Sequence, residues 1–132
     1  METFSFLASS DDIRHRSFKD WLSAHNSFGF PLHRYDGELS LGRDQLQYIG
    51  VDTKNNNAEF SLIIYKYQIE QIYYGFDDVF HMREDRGLGL YWKPIRIRIN
   101  ENGIESDLYF ITYLENGYNT KEWFELLINW LR

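Results

Sequence analysis

Apolar and polar residues alternate with a period of two through most of the chain, and shift to a period near 3.6 in one window near each end. The last window, Asn119 to Arg132, is the clearer one. At about 100° per residue, Lys121, Glu122, Glu125, Asn129 and Arg132 occupy one third of a helical wheel, and Trp123, Phe124, Leu126, Leu127, Ile128, Trp130 and Leu131 fill the other side. A surface helix needs an apolar stripe only about 100° wide. This one is nearer twice that, so the helix is expected to lie in a groove or over an opening, with Trp123, Phe124, Leu127 and Leu131 buried. Asn119 is expected as its N-cap, with Glu122 at the reciprocal capping position and Tyr118 and Trp123 at the staple positions. Two Glu on the polar face against one Lys and a terminal Arg argue against a membrane-lying helix.

The first helical window runs from Asp11 to about Ala24. Ser9 and Asp12 stand at capping-box spacing, and Ile13, Phe18, Trp21, Leu22 and Ala24 share half of the wheel. Arg14, His15, Arg16 and Lys19 make its outer side the most basic spot in the chain, read as a solvated face. Ahead of it, residues 1–8 with Phe4, Phe6 and Leu7 fit a short strand or an ordered arm.

Between the helices the pattern predicts strands. After a turn-rich linker at 26–31, Asp36–Leu41 alternates, Gly42-Arg43-Asp44 turns, and Gln45–Val51 resumes with a bulge at Ile49-Gly50. A polar loop at 52–57 leads to strands at 59–67 and 68–76; Leu62-Ile63-Ile64-Tyr65 is apolar enough to be covered on both faces. Residues 77–93 are irregular, with a short strand expected at 79–82. Then Ile95–Ile99 and Ser106–Tyr113 alternate about Asn102-Gly103, the strongest short hairpin signal. That turn pairs Arg98 with Asp107, Ile97 with Leu108, Arg96 with Tyr109 and Ile95 with Phe110. Ile95, Ile97, Ile99, Leu108 and Phe110 then share one face, and Arg96, Arg98, Asp107 and Tyr109 the other, where the arginines serve as cross-strand partners.

Composition narrows the class. The chain has 132 residues, the size of one domain, and Phe, Tyr and Trp make up 18% of it. Rings fill volume economically and suit strands, which favours a small barrel or sandwich. There is no Cys, which excludes disulfides and thiol chemistry. The start lacks a basic n-region, and no window approaches the ~18 apolar residues of a membrane span, so a cytoplasmic protein is expected. A net charge of −6 argues against nucleic-acid binding and against bulk attraction to anionic lipid.

The order of elements resembles the pleckstrin-homology-like (PH-like) superfamily, in particular its bacterial PH-like and GRAM-like domains. The residues that carry the resemblance are Asp36-Gly37-Glu38-Leu39-Ser40-Leu41 with Leu46-Gln47-Tyr48, then Ile69-Glu70-Gln71-Ile72-Tyr73-Tyr74-Gly75, then Trp92-Lys93-Pro94-Ile95-Arg96-Ile97 ahead of Tyr109-Phe110. The resemblance covers about residues 36–131. It implies an α+β fold: a partly open barrel of about seven antiparallel strands in two nearly perpendicular sheets, capped by the C-terminal helix. Residues 1–35 would be a helical extension packed on this barrel, within one domain spanning 1–132. The lipid-binding members grip inositol phosphates with a basic first hairpin; here that turn holds only Arg43, beside Asp44.

Motifs for chemistry are sparse. His15, His25, His33 and His81 have no metal-ligand spacing, and no phosphate-binding loop, dinucleotide fingerprint or nucleophile elbow occurs. No enzyme, metal or cofactor is therefore expected. The candidate binding residues are His81, Arg83, Arg86, Tyr91 and Trp92 in the long irregular loop, where donors and ring faces collect, together with Arg43. The expected function is a non-catalytic interaction module for a protein or peptide, with strand addition at an open sheet edge as the mode. The alternatives are a lipid surface, gripped by Arg14, Arg16, Lys19 and the turns at 43 and 83–86, and a small-molecule or hydrolytic pocket between the first helix and the barrel.

Overall fold

The computed structural model describes residues 1–15, 31–81 and 92–132. The elements are β1 (Glu2–Ser9), α1 (Ser10–Arg14), β2 (Tyr35–Leu41), β3 (Gln45–Asp52), β4 (Ala58–Tyr65), a 3-10 turn (Lys66–Gln68), β5 (Ile69–Tyr74), β6 (Ile95–Glu101), β7 (Ile104–Leu114), the two-residue β8 (Gly117–Tyr118) and α2 (Thr120–Leu131). Pairing is antiparallel throughout, in the order β4-β3-β2-β1-β7-β6-β5, with β8 on β7. The ladder is unbroken from β4 to β5. The expected two sheets are thus one, curled into a half-barrel whose rims are β4 and β5.

Strand pleating divides the apolar residues between two cores. Leu7, Leu39, Leu46, Tyr48, Ile64, Ile95, Ile97, Ile99 and Phe110 fill the concave side with Trp123 and Leu127 of α2. Phe6, Ala8, Ile13, Leu32, Phe80, Trp92, Tyr109 and Ile111 form a second cluster against the opposite face of β1 and β7. The curl needs small residues where β2 and β3 meet most closely. Gly37 pairs with Gly50, and a Cβ on Gly50 would lie 2.3 Å from the Asp36 carbonyl oxygen and 2.7 Å from the Gly37 Cα. The register runs through this pair without a shift, so the bulge expected at Ile49-Gly50 is absent. Gly50→Ala is expected to cost about 1–3 kcal/mol, the range for overpacking, measured by urea unfolding.

The N-terminus corrects the largest expectation. Residues 2–9 are not part of an extension outside the barrel; β1 is its central strand, paired with β2 on one side and β7 on the other. Because both faces of β1 are covered, Ser5, Phe6, Leu7 and Ala8 are all buried, and the alternation that marks a half-buried strand is missing. The strand expected at 79–82 does not form over 79–81, and Met82 lies outside the described residues. A half-barrel of seven strands results, with β1 in place of the strand expected at 79–82. Of the first predicted helix, α1 is the described part, and the remainder from Arg16 lies outside the described residues. Its cap is made as expected: the Asp12 N–H donates to Ser9 Oγ (3.1 Å) and the Ser9 N–H to Asp12 Oδ2 (2.9 Å).

The Asn102-Gly103 hairpin has the predicted register at every pair, with both turn residues at positive φ (54° and 85°). In α2, the five residues placed on the polar face are the exposed ones; Trp123 and Leu127 are buried, and Phe124 and Leu131 half-buried. Its predicted cap is not made. Asn119 (ψ 30°) lacks the extended backbone that turns a side chain back onto the first turn, as Ser9 does at ψ 165°. Its Nδ2 instead donates to Thr3 Oγ1 (3.2 Å), tying the helix start to β1.

Candidate functional site

The segment after β5 begins with a built anchor at Asp77. Its Oδ1 accepts the N–H groups of Val79 (2.9 Å) and Phe80 (2.8 Å), which forces the chain to turn where a strand was expected. Its Oδ2 accepts from Arg96 (2.9 Å) and the Tyr109 hydroxyl (2.7 Å). Arg96 also donates to Gln71 (2.7 Å) and lies over the Tyr73 ring. Burial pushes the Asp77 carboxyl up, but the bonds from Tyr109, the two N–H groups and Arg96 outweigh it and hold the group below the usual carboxylate range. Burial and this carboxylate raise the Tyr109 hydroxyl well above its ordinary value. Arg96 and Tyr109, placed by their register on an outer face, are thus covered by the loop. Only the Arg98–Asp107 pair, with bonds of 2.8 and 3.2 Å, is the simple cross-strand pair expected for both arginines.

Of the candidate binding residues, Arg83, Arg86 and Tyr91 lie outside the described residues. His81 is half-buried at the loop's start. Trp92 is 3% exposed, packed among Phe76, Phe80 and Tyr118 in the second core, so its ring has no face to offer a partner. Arg43 is exposed in the β2–β3 turn, where its carbonyl and that of Gly42 accept from Trp130 Nε1 (3.1 and 2.9 Å). This turn receives the end of α2. Arg14 lies 3.9 Å from Asp11, and Arg16 and Lys19 lie outside the described residues. The described basic residues therefore do not converge on an anion pocket.

A second polar cluster centres on Arg34. Arg34 grips Asp52 through Nε (3.2 and 3.3 Å) and Nη2 (2.8 Å), and reaches Asp12 through Nη1 (3.1 Å). These bonds hold the Asp52 carboxyl below its usual range. They fasten α1 to the β2 and β3 ends. No local motif announces them, because the three residues meet only after β1 enters the sheet.

Two features remain open. One is the pair of rims: among the described residues β4 and β5 each have one strand neighbour. The other is the outer side of α2, where a cleft of about 280 Å³ is lined by Phe124, Glu125, Ile128, Asn129 and Arg132. The two meet where Tyr74 of β5 stacks on Phe124, ring centroids 5.3 Å apart. A larger cleft of about 470 Å³ lies at the start of α2, lined by Leu114, Tyr118, Asn119, Glu122, Trp123 and Leu126 among others. Among the described residues no cluster of His, Asp or Glu is arranged to hold a metal, and no helix is long and apolar enough to cross a membrane. No protein-family model, curated protein or solved structure matches the chain.

Proposed function

We propose that the chain is a PH-like interaction module, without a catalytic role, that binds an extended segment of a protein partner along β5. The strand count and the closing helix support the PH-like reading: about seven antiparallel strands capped by the last helix are what the resemblance implies, although here they form one sheet and include β1. The observation that carries the binding mode is the free rim of β5 beside the half-exposed apolar side of α2. A peptide added there would form main-chain hydrogen bonds with β5, and alternate side chains would reach Phe124 and Ile128 in the α2 cleft. Main-chain pairing supplies affinity, and the cleft supplies selection among side chains.

Selection from a library of extended peptides, followed by amide chemical-shift mapping, tests this reading. Binders with alternating apolar residues are expected, with shifts at Glu70–Tyr74 and on α2. Ile128→Lys, on the open side of the helix, is expected to weaken binding at least ~10-fold, the effect of losing a contact worth about 1.4 kcal/mol. Selected peptides whose shifts leave β5 untouched would refute the mode.

A further inference from the structure

We infer that the other rim, β4, is a surface on which two copies of this chain pair edge to edge. The rims are built differently. β5 is six residues long, shifts register between Ile69 and Gln71, and is flanked by α2. β5 is thus a short edge with a helix and its cleft beside it, which suits a selected peptide more than a second copy of the strand. β4 is eight residues, Ala-Glu-Phe-Ser-Leu-Ile-Ile-Tyr, with no Pro, no Lys, no register shift and a single charge, Glu59. A long, apolar, unprotected edge is a template for another strand.

The backbone on this edge is available. The Tyr65 N–H donates to the Gln68 side chain (2.9 Å) and not to β3, so by alternation Glu59, Ser61 and Ile63 direct their main-chain groups toward the free side. Among the described residues these have no other hydrogen-bond partner, and Ile49, Ile63 and Tyr65 stand 56, 40 and 40% exposed on the outer face of the same two strands.

The occupant that fits is a second copy. A foreign peptide is selected by pockets beside the edge, and none of the described clefts is lined by a β4 residue. Self-pairing needs no pocket, only a strand that is its own complement. About a two-fold axis at Leu62, the β4 residues meet as follows. Ser61 faces Ile63 of the second copy in a hydrogen-bonded pair, and Glu59 faces Tyr65, so the one charge on the strand never opposes itself. On the concave face Leu62 meets Leu62, and Phe60 meets Ile64. The contact is isologous, which closes the assembly at two. It is also small, so a dissociation constant of about 1–100 µM is expected. With −6 on each chain, association should strengthen as salt screens the repulsion.

Sedimentation and light scattering over a concentration series test the inference, in low and high salt. A reversible shift from the 16.0 kDa chain to twice that mass is expected. Ile63→Lys, at an exposed position, should weaken the dimer at least ~10-fold while its circular dichroism stays native; Ile128→Lys on α2 should leave it intact, which separates this rim from the peptide reading at β5. The chain has no cysteine of its own, so Leu62→Cys reports the axis directly. It should form an intermolecular disulfide at least ~10-fold faster than the more exposed Glu59→Cys, because only position 62 faces itself at the spacing a disulfide needs. A monomer at the top of the series overturns the inference. So does a dimer indifferent to Ile63→Lys, or a β4 whose amides respond only to the selected peptides.

Discussion

Asp77→Ala is expected to destabilise the protein by about 3–5 kcal/mol, the cost of leaving one partner of a buried charge pair alone. The Asp77 and Arg96 side chains are 9 and 13% exposed. Removing the carboxylate leaves the Arg96 guanidinium covered with, among the described residues, only Gln71 as a hydrogen-bonding partner, and Arg96 Nε already has none there. It also strands the Tyr109 hydroxyl and the N–H groups of Val79 and Phe80. The loop should then lose its turn, and Phe76, Phe80 and Trp92 their fixed packing. Urea unfolding measures the cost, and near-ultraviolet circular dichroism reports the aromatic cluster. The pH dependence has a definite sign. Because the folded state holds Asp77 below its usual range, the stabilisation is complete above the unfolded carboxylate's titration and is lost as pH falls through the folded value. Asp77→Asn should therefore flatten the acid limb in part, and Asp52, lowered by Arg34, should supply a further part of the slope. An Asp77→Asn protein with an unchanged acid limb would count against this account.

What the sequence disclosed follows how local each signal is. The register of the β6–β7 hairpin was legible because Asn102-Gly103 sets the turn and a one-residue slip would turn every isoleucine out of the core. The buried side of α2 was legible from periodicity alone. β1 was not, because a strand covered on both faces gives up its alternation, and eight residues at a chain end resemble an arm. Residues 79–81 are not the expected strand for a related reason. Val79 and Phe80 have a strand's composition, but Asp77 takes their N–H groups, and that capture depends on Arg96 and Tyr109, 19 and 32 positions away. Trp92 stood among the candidate binding residues by its residue type, although Trp is usually buried for packing, and the second core that buries it exists only once β1 and β7 pair. The rims were foreseen only as an open edge; which strand forms each rim depends on β1 closing the sheet.

Trp123→Ala is expected to cost about 3–5 kcal/mol, as for other buried aromatic truncations. Trp123 is 6% exposed, and with Leu127 it is what α2 contributes to the concave core. It also walls the 470 Å³ cleft at the helix start, so deleting the ring opens that cleft toward the barrel interior and lets water reach Leu127. The loss should appear as a lower urea midpoint. Trp130 supplies the contrast. It is half-buried, and its indole N–H bonds two carbonyls of the β2–β3 turn while Lys66 lies over its ring, 4.9 Å from the centroid. Trp130→Ala should cost only about 1–3 kcal/mol, because water can replace what it leaves. The order of the two effects distinguishes a plug from a strap. If α2 is a plug, Trp123 dominates, and its loss also weakens peptide binding at β5, because the helix that forms the cleft no longer sits firmly. If Trp123→Ala costs less than about 1 kcal/mol, α2 is not held by the barrel mouth, and its wide apolar stripe must find its cover on a partner.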